Sequence, residues 1–244
     1  MRQRDLAAAP VNGGSILLIR DLGLMAAAVY EAAGADLVPG ASRIDRQEAA
    51  GSRWDAFQAA AYTMSGKLVV VFRGTSSLGD GITDVALGLG MNSAYYEQGE
   101  AFVAKQGAGD IVLCGHSLGG AIAQVVGNRM GLPIVTFNAP GVAVVASRNI
   151  ASATSVGTAV RVGGMLASAV VRPGQAWKDV KATFREVRGL NICLMADAVS
   201  RIGVHYGKVE RIPGTSMNPK TEHGIATVNA VLKKHPLGSR RVDF

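Results

Sequence analysis

The chain has 244 residues, 48% apolar and 18% charged, a balance that supports a sizeable folded core and excludes a disordered, fibrous or disulfide-stapled class. Its formal charge of +7 suits an anionic partner or a solvated basic surface, but no aromatic ladder, zinc-ligand spacing or helix-turn-helix pattern accompanies it, which speaks against nucleic acid. Only 5% of residues are aromatic while glycines number 31, so Ala, Val, Leu and Gly must do most of the packing.

The N-terminal apolar run Ile16–Ile19 is cut by Arg20-Asp21 and is too short for the core of a signal peptide. Nowhere do eighteen apolar residues run without a charge, so no transmembrane helix is expected. The expectation is a protein made in the cytoplasm, without leader or membrane span, that would leave the cell by a signal-independent route. The basic residues are dispersed, with local concentrations at Arg2/Arg4 and at Lys233, Lys234, Arg240 and Arg241. Cys114 and Cys193 each stand in an apolar stretch and read as reduced core residues.

In chain order, Asp21–Ala33 is Ala-rich and stops before Gly34, as a helix with a glycine stop does. Trp54–Tyr62 leads into Lys67–Phe72 (KLVVVF), a β-branched run expected to be a strand buried on both faces. Ile111–Cys114 (IVLC) is a second such strand, followed at once by a helix over Leu118–Met130 that Gly131-Leu132-Pro133 ends. Ile134–Phe137 and Leu190–Met195 are further strands, Val204–Ile212 another, and Ile225–Lys234 a closing helix. The alternation predicts an α/β fold, a mostly parallel central sheet with helices on both faces, in one domain over 1–244. Gly141–Arg172, rich in Ala, Val, Ser and Gly, reads either as ordinary covering helices or as an apolar cap or membrane-docking element; the insertion would span 141–189.

Gly115-His116-Ser117-Leu118-Gly119 fits G-x-S-x-G, with an apolar strand directly before it and an Ala/Val-rich helix directly after. Such a turn lifts a serine Oγ out of the sheet, and the glycines let backbone come close where a Cβ would clash. Ser117 is the candidate nucleophile. The helix beyond it offers backbone N–H groups and a positive dipole end to an oxyanion.

A serine needs a base to take its proton, and four histidines are available. His116 sits in the elbow with its side chain directed away from the Oγ, and His235 lies in the basic tail. His205 begins the expected strand at 204, whereas His223 lies past it in a loop, NPKTEH, leading into the last helix. The order serine, acid, histidine and the loop position favour His223, with His205 the alternative. Asp197, directly after a strand, is the orienting acid, ahead of Asp179 in a charged segment; Glu222 reads as a surface or capping residue. No metal-ligand cluster is present, and no metal or organic cofactor is expected.

Val71-Phe72-Arg73-Gly74-Thr75, GHSLGG, and TFNAP at Thr136–Pro140 together resemble the class 3 lipase family of the α/β-hydrolase superfamily, and Asn191–Gly203 with His205-Tyr206-Gly207 is similar to its acid loop. The resemblance implies that Thr75 is an oxyanion-hole residue with the Leu118 N–H as second donor, and that Ser76–Met91 corresponds to the family's lid. Here that segment is Gly-rich and lacks the aromatic residue often seen there, and the stretch from Pro140 to Leu190 is longer than in a compact fungal lipase. The implied activity is cleavage of lipid acyl esters, the basic charge tilting it toward phospholipid in an anionic membrane and toward a bacterial effector that attacks other cells. Two alternatives stand beside it: a soluble esterase or thioesterase, and a non-catalytic membrane-binding hydrolase-like domain.

Overall fold

The computed structural model describes residues 16–31, 38–48, 57–74, 93–142 and 187–244. Among them, seven strands form one sheet in sequential order: β1 (Ser42–Gln47), β2 (Ala59–Met64), β3 (Lys67–Phe72), β4 (Ile111–His116), β5 (Ile134–Phe137), β6 (Gly189–Leu194) and β7 (Lys208–Ile212). The first three pair antiparallel, and β3 to β7 are parallel. The fold is therefore α/β with a mostly parallel sheet, as expected.

The helices divide between two faces. On one face α1 (Ile19–Ala28) and α5 (Ile225–Leu232) share a core with Val69 and Val71 of β3, Val112 and Cys114 of β4, Val135 and Phe137 of β5, and Ile192 of β6. On the other, α2 (Ser93–Lys105) and α3 (Leu118–Met130) pack with Val70 and Phe72, and with Ile111 and Leu113. Alternate residues of β3, β4 and β5 thus enter opposite cores, because successive side chains of a strand point to opposite faces. Two apolar faces explain why these strands carry unbroken Val, Leu and Ile rather than an alternating pattern.

Some boundaries differ from the sequence reading, each for a physical reason. The first helix begins at Ile19, with the Asp21 carboxylate accepting the Leu18 N–H at 2.9 Å, and ends at Ala28. The last strand is shorter than Val204–Ile212: it pairs with β6 only from Lys208, leaving Val204 exposed ahead of it. β1 escapes sequence reading because SRIDRQ is a half-exposed edge strand with no apolar period. α3, β5 and the elbow fall where the sequence places them. Both cysteines are free and buried. Among the described residues no helix is long and apolar enough to cross a membrane. The expected cap over 141–189 and the region 76–91 lie outside the described residues, save for 141, 142 and 187–189.

Candidate active site

β4 ends at His116, and the chain turns so sharply into α3 that Ser117 adopts φ 56° and ψ −128°, a left-handed conformation costly for a residue with a Cβ. Three glycines make the turn sterically feasible. A methyl group on Gly115 would stand 2.4 Å from the Gly119 carbonyl, one on Gly119 2.1 Å from the Phe72 carbonyl oxygen, and one on Gly120 2.5 Å from Ala139 Cβ. Helix, elbow and neighbouring strands can approach this closely only without those side chains. The Ser117 N–H donates to the Phe137 carbonyl at 3.1 Å, tying the elbow to β5. Leu118 opens α3, so its N–H has no acceptor within the helix.

Beyond β6, Asp197 opens a tight turn. Its Oδ1 accepts the Val199 N–H at 3.2 Å and its Oδ2 the Ser200 N–H at 2.9 Å. The Arg211 guanidinium on β7 donates to the Ser200 carbonyl at 3.1 Å and fixes the turn from outside. After β7, Asn218 caps the short helix α4 (Pro219–His223) by accepting from the Lys220 and Thr221 N–H groups, with Pro219 at the first helical position. His223 is thus the last residue of a helical turn rather than part of an open loop. Glu222 is fully buried, not a surface residue: its Oε1 accepts the Thr215 and Ser216 N–H groups at 2.8 and 2.7 Å and pins the preceding loop.

These three turns bring together residues separated by 106 and 26 positions. His223 Nδ1 lies 2.8 Å from Asp197 Oδ1, and His223 Nε2 lies 2.9 Å from Ser117 Oγ. A carboxylate only accepts, so Nδ1 carries the proton and Nε2 is left as acceptor for the serine hydroxyl. Ser117 is 1% exposed, His223 2% and Asp197 0%. Burial alone would raise the pKa of Asp197, but the hydrogen bonds from His223 and Ser200 outweigh it and hold the carboxyl below its ordinary value. The acid therefore stays ionised beside the imidazole.

The other candidates lie elsewhere. His205 precedes β7 and bonds the Ala139 carbonyl at 2.8 Å. His235 accepts the Leu237 N–H at the start of the final turn. Asp179 and Thr75 lie outside the described residues, though Gly74, next to Thr75, is close to Ser117: a methyl group there would stand 3.2 Å from Ser117 Cβ. Among the described residues no group of three or more His, Cys, Asp or Glu side chains is placed to hold a metal ion.

Two residues that sequence reading passed over also reach this site. Asn138, with φ 45° directly after β5, donates from its amide to the Glu222 carbonyl at 2.7 Å and the His223 carbonyl at 3.2 Å, while its oxygen accepts the Leu194 N–H at 2.8 Å. The available signal was an Asn immediately after a strand, where its tolerance of positive φ has a use. Tyr30, just past α1, places its hydroxyl 3.2 Å from His116 Nδ1 and accepts the Gly74 N–H at 3.1 Å.

A mostly parallel sheet in sequential order, a strained serine between strand and helix, and acid and histidine following in that order are the arrangement of the α/β-hydrolase class. Within that class the chain belongs to a family: the model of the Tle-like phospholipase domain, described as phospholipase-like, matches residues 22–191. That span contains Ser117 and ends before Asp197 and His223. Over 89 residues the chain is 38% identical to an "Extracellular phospholipase A1" of Serratia liquefaciens, a match covering 35% of this chain and 28% of that protein, so it spans little more than a quarter of the relative's length. Among solved structures, a lipase from Rhizopus microsporus var. chinensis superposes with a TM-score of 0.48 at 15% identity, covering 86% of this chain and 84% of that one. Lip2 lipase from Yarrowia lipolytica gives 0.41 at 16% identity, with 75% and 72% covered.

Proposed function

We propose that this protein hydrolyses acyl esters of lipids, phospholipids in particular, through an acyl-enzyme on Ser117. The observation that carries the proposal is the unbroken line Ser117 Oγ, His223 Nε2, His223 Nδ1, Asp197 Oδ1 in a chain of a phospholipase-domain family. His223 takes the Ser117 proton as Oγ attacks the ester carbonyl, and ionised Asp197 stabilises the imidazolium that forms. The Leu118 N–H, at the positive end of α3, is assigned to the oxyanion, with Thr75 as the second donor. His223 then returns the proton to the departing alcohol, and a water activated by the same imidazole releases the acyl group. Each step uses side chains and backbone of this chain alone, with no cofactor.

Phospholipid as substrate class is supported by the family, by the match to an extracellular phospholipase A1 and by the charge of +7. Contact with an anionic bilayer is supported by Met195 and Met217, 49% and 89% exposed, two residues before Asp197 and six before His223. Attack on membranes of other cells is the biological form of this reading.

The test follows fatty-acid release from anionic phospholipid vesicles by wild type and by Ser117→Ala, with a short-chain nitrophenyl ester in parallel. Release by wild type alone, reduced at least about 10³-fold in Ser117→Ala, is the expected result. Turnover of the small ester without lipid would mark a soluble esterase. Vesicle binding by both proteins with no turnover would mark a binding domain.

A further inference from the structure

The histidine beside the nucleophile is fully enclosed, and its two ring nitrogens have different partners. His116 Nε2 lies 2.7 Å from the His223 carbonyl oxygen, and Nδ1 lies 3.2 Å from the Tyr30 hydroxyl. A carbonyl can only accept, so Nε2 carries the proton. In a neutral imidazole Nδ1 is then an acceptor, and the Tyr30 O–H must donate to it. The Tyr30 oxygen in turn accepts the Gly74 N–H. Donor and acceptor roles agree along the whole chain, Gly74 N–H to Tyr30 O–H to His116 Nδ1, then Nε2–H to the His223 carbonyl.

The two ends of this chain flank Ser117. Gly74 immediately precedes Thr75 and is packed against the elbow so closely that a methyl group on it would stand 2.7 Å from the His116 carbonyl oxygen and 2.7 Å from the Tyr30 hydroxyl. At the other end is the backbone of His223, held also by the Asn138 amide. We propose that Tyr30 and His116 are positioning residues, a hydrogen-bonded strut that holds Gly74 and the backbone of His223 in register across Ser117. Neither touches the reacting atoms. Both act through the groups they hold, and a misplacement of about 1 Å at such a group costs roughly a hundredfold in rate. This inference rests on the hydrolase reading of Ser117 and His223.

Labelling by a fluorophosphonate separates the two claims, because it needs the activated serine and the oxyanion site but no lipid. Ser117 Oγ bonds to phosphorus, its proton passes to His223 Nε2, and fluoride departs. If wild type is labelled no faster than Ser117→Ala, the hydrolase reading fails. Given labelling of wild type, Tyr30→Phe keeps the ring beneath the Arg73 guanidinium and removes only the hydroxyl. It is expected to slow labelling, and kcat on a short ester, by roughly ten- to a hundredfold, with KM within about twofold and the protein folded by thermal melting. A folded Tyr30→Phe protein labelled at the wild-type rate overturns the strut and leaves the hydrolase reading intact. Two His116 variants divide the chain and serve if Tyr30→Phe does not fold. His116→Gln retains an N–H near the Nε2 position, and His116→Asn retains an acceptor near Nδ1. Slower labelling per folded molecule is expected in both, with Gln the less affected. Labelling in both at the wild-type rate, with only the melting temperature lowered, reduces His116 to packing and overturns the proposal.

Discussion

Two imidazoles stand 5.0 Å apart between ring centroids, and their surroundings assign them opposite tasks. His223 faces a serine and a carboxylate and is placed to exchange a proton; His116 faces a carbonyl and a phenol and is kept from taking one. Burial, reinforced by nearby His223, lowers the His116 pKa from 6.5 to about 3 against the opposing effects of the His223 carbonyl and the Asp197 charge. The Tyr30 hydroxyl is pushed up to about 12, again by burial, so it keeps its proton as a donor. The sign of the linkage follows. Between about pH 3 and 6.5 the unfolded chain binds a proton at His116 that the folded protein does not, so stability falls as pH is lowered through that window. Asp197, with its pKa lowered in the folded state, acts the same way below the ordinary carboxylate range. Urea unfolding at pH 7 and pH 5 is therefore expected to show wild type losing about 2 kcal/mol more than His116→Gln. Equal losses in the two proteins would contradict the buried neutral histidine.

The elbow between β4 and α3 is where sequence and local structure agree most closely, because its constraints are steric and short in range. Each glycine of GHSLGG stands where backbone from another element comes within about 3 Å of the space a Cβ would occupy. At Gly119 the obstacle is the Phe72 carbonyl, a backbone atom of β3 that cannot rotate away. Gly119→Ala is accordingly expected to destabilise the protein by about 3 kcal/mol or more, read as a drop in urea midpoint or loss of soluble protein. A midpoint within experimental error of wild type would mean that β3 can shift from α3. The same turn supplies the opened N-terminus of α3, so the glycines that permit the strain also permit the Leu118 N–H, unpaired within the helix, to sit beside the serine.

Across the whole molecule, the two cores leave the carboxyl ends of the parallel strands for the site. Ser117 follows β4, Asp197 follows β6, and His223 comes after β7 and just before α5. The basic charge is divided with respect to that edge. Arg201 and Lys220 are exposed within four residues of Asp197 and His223, whereas Lys233 and Lys234 lie at the end of α5 remote from His223. If charge brings the site to an anionic surface, binding to anionic vesicles should weaken several-fold between roughly 50 and 300 mM salt, as screening shortens its reach. Lys220→Glu should weaken it more than Lys233→Glu, measured by vesicle sedimentation. Equal effects of the two substitutions would indicate diffuse attraction without orientation.

The amino-acid sequence by itself determined the strands of Val, Leu and Ile, the helix over Leu118–Met130 and the elbow with its serine, since strand period, glycine sterics and a helix start are written in adjacent residues. It also singled out Asp197 and His223 from the order in which groups follow strands, though their approach to Ser117 at hydrogen-bond distance is a property of the folded sheet. Tertiary structure alone decided the rest. Tyr30 meets His116 across 86 positions, Asn138 meets Glu222 across 84, and no local pattern marks either pair. Glu222 looked like a surface charge because its neighbours in sequence are polar, and it is buried because the loop ahead of it turns its N–H groups inward onto the carboxylate. The charged edge strand β1 likewise exists through its partner β2 and not through any period of its own. Contacts of this kind depend on which strands become neighbours, and that is settled by the competition among apolar faces over the whole chain rather than by any one segment.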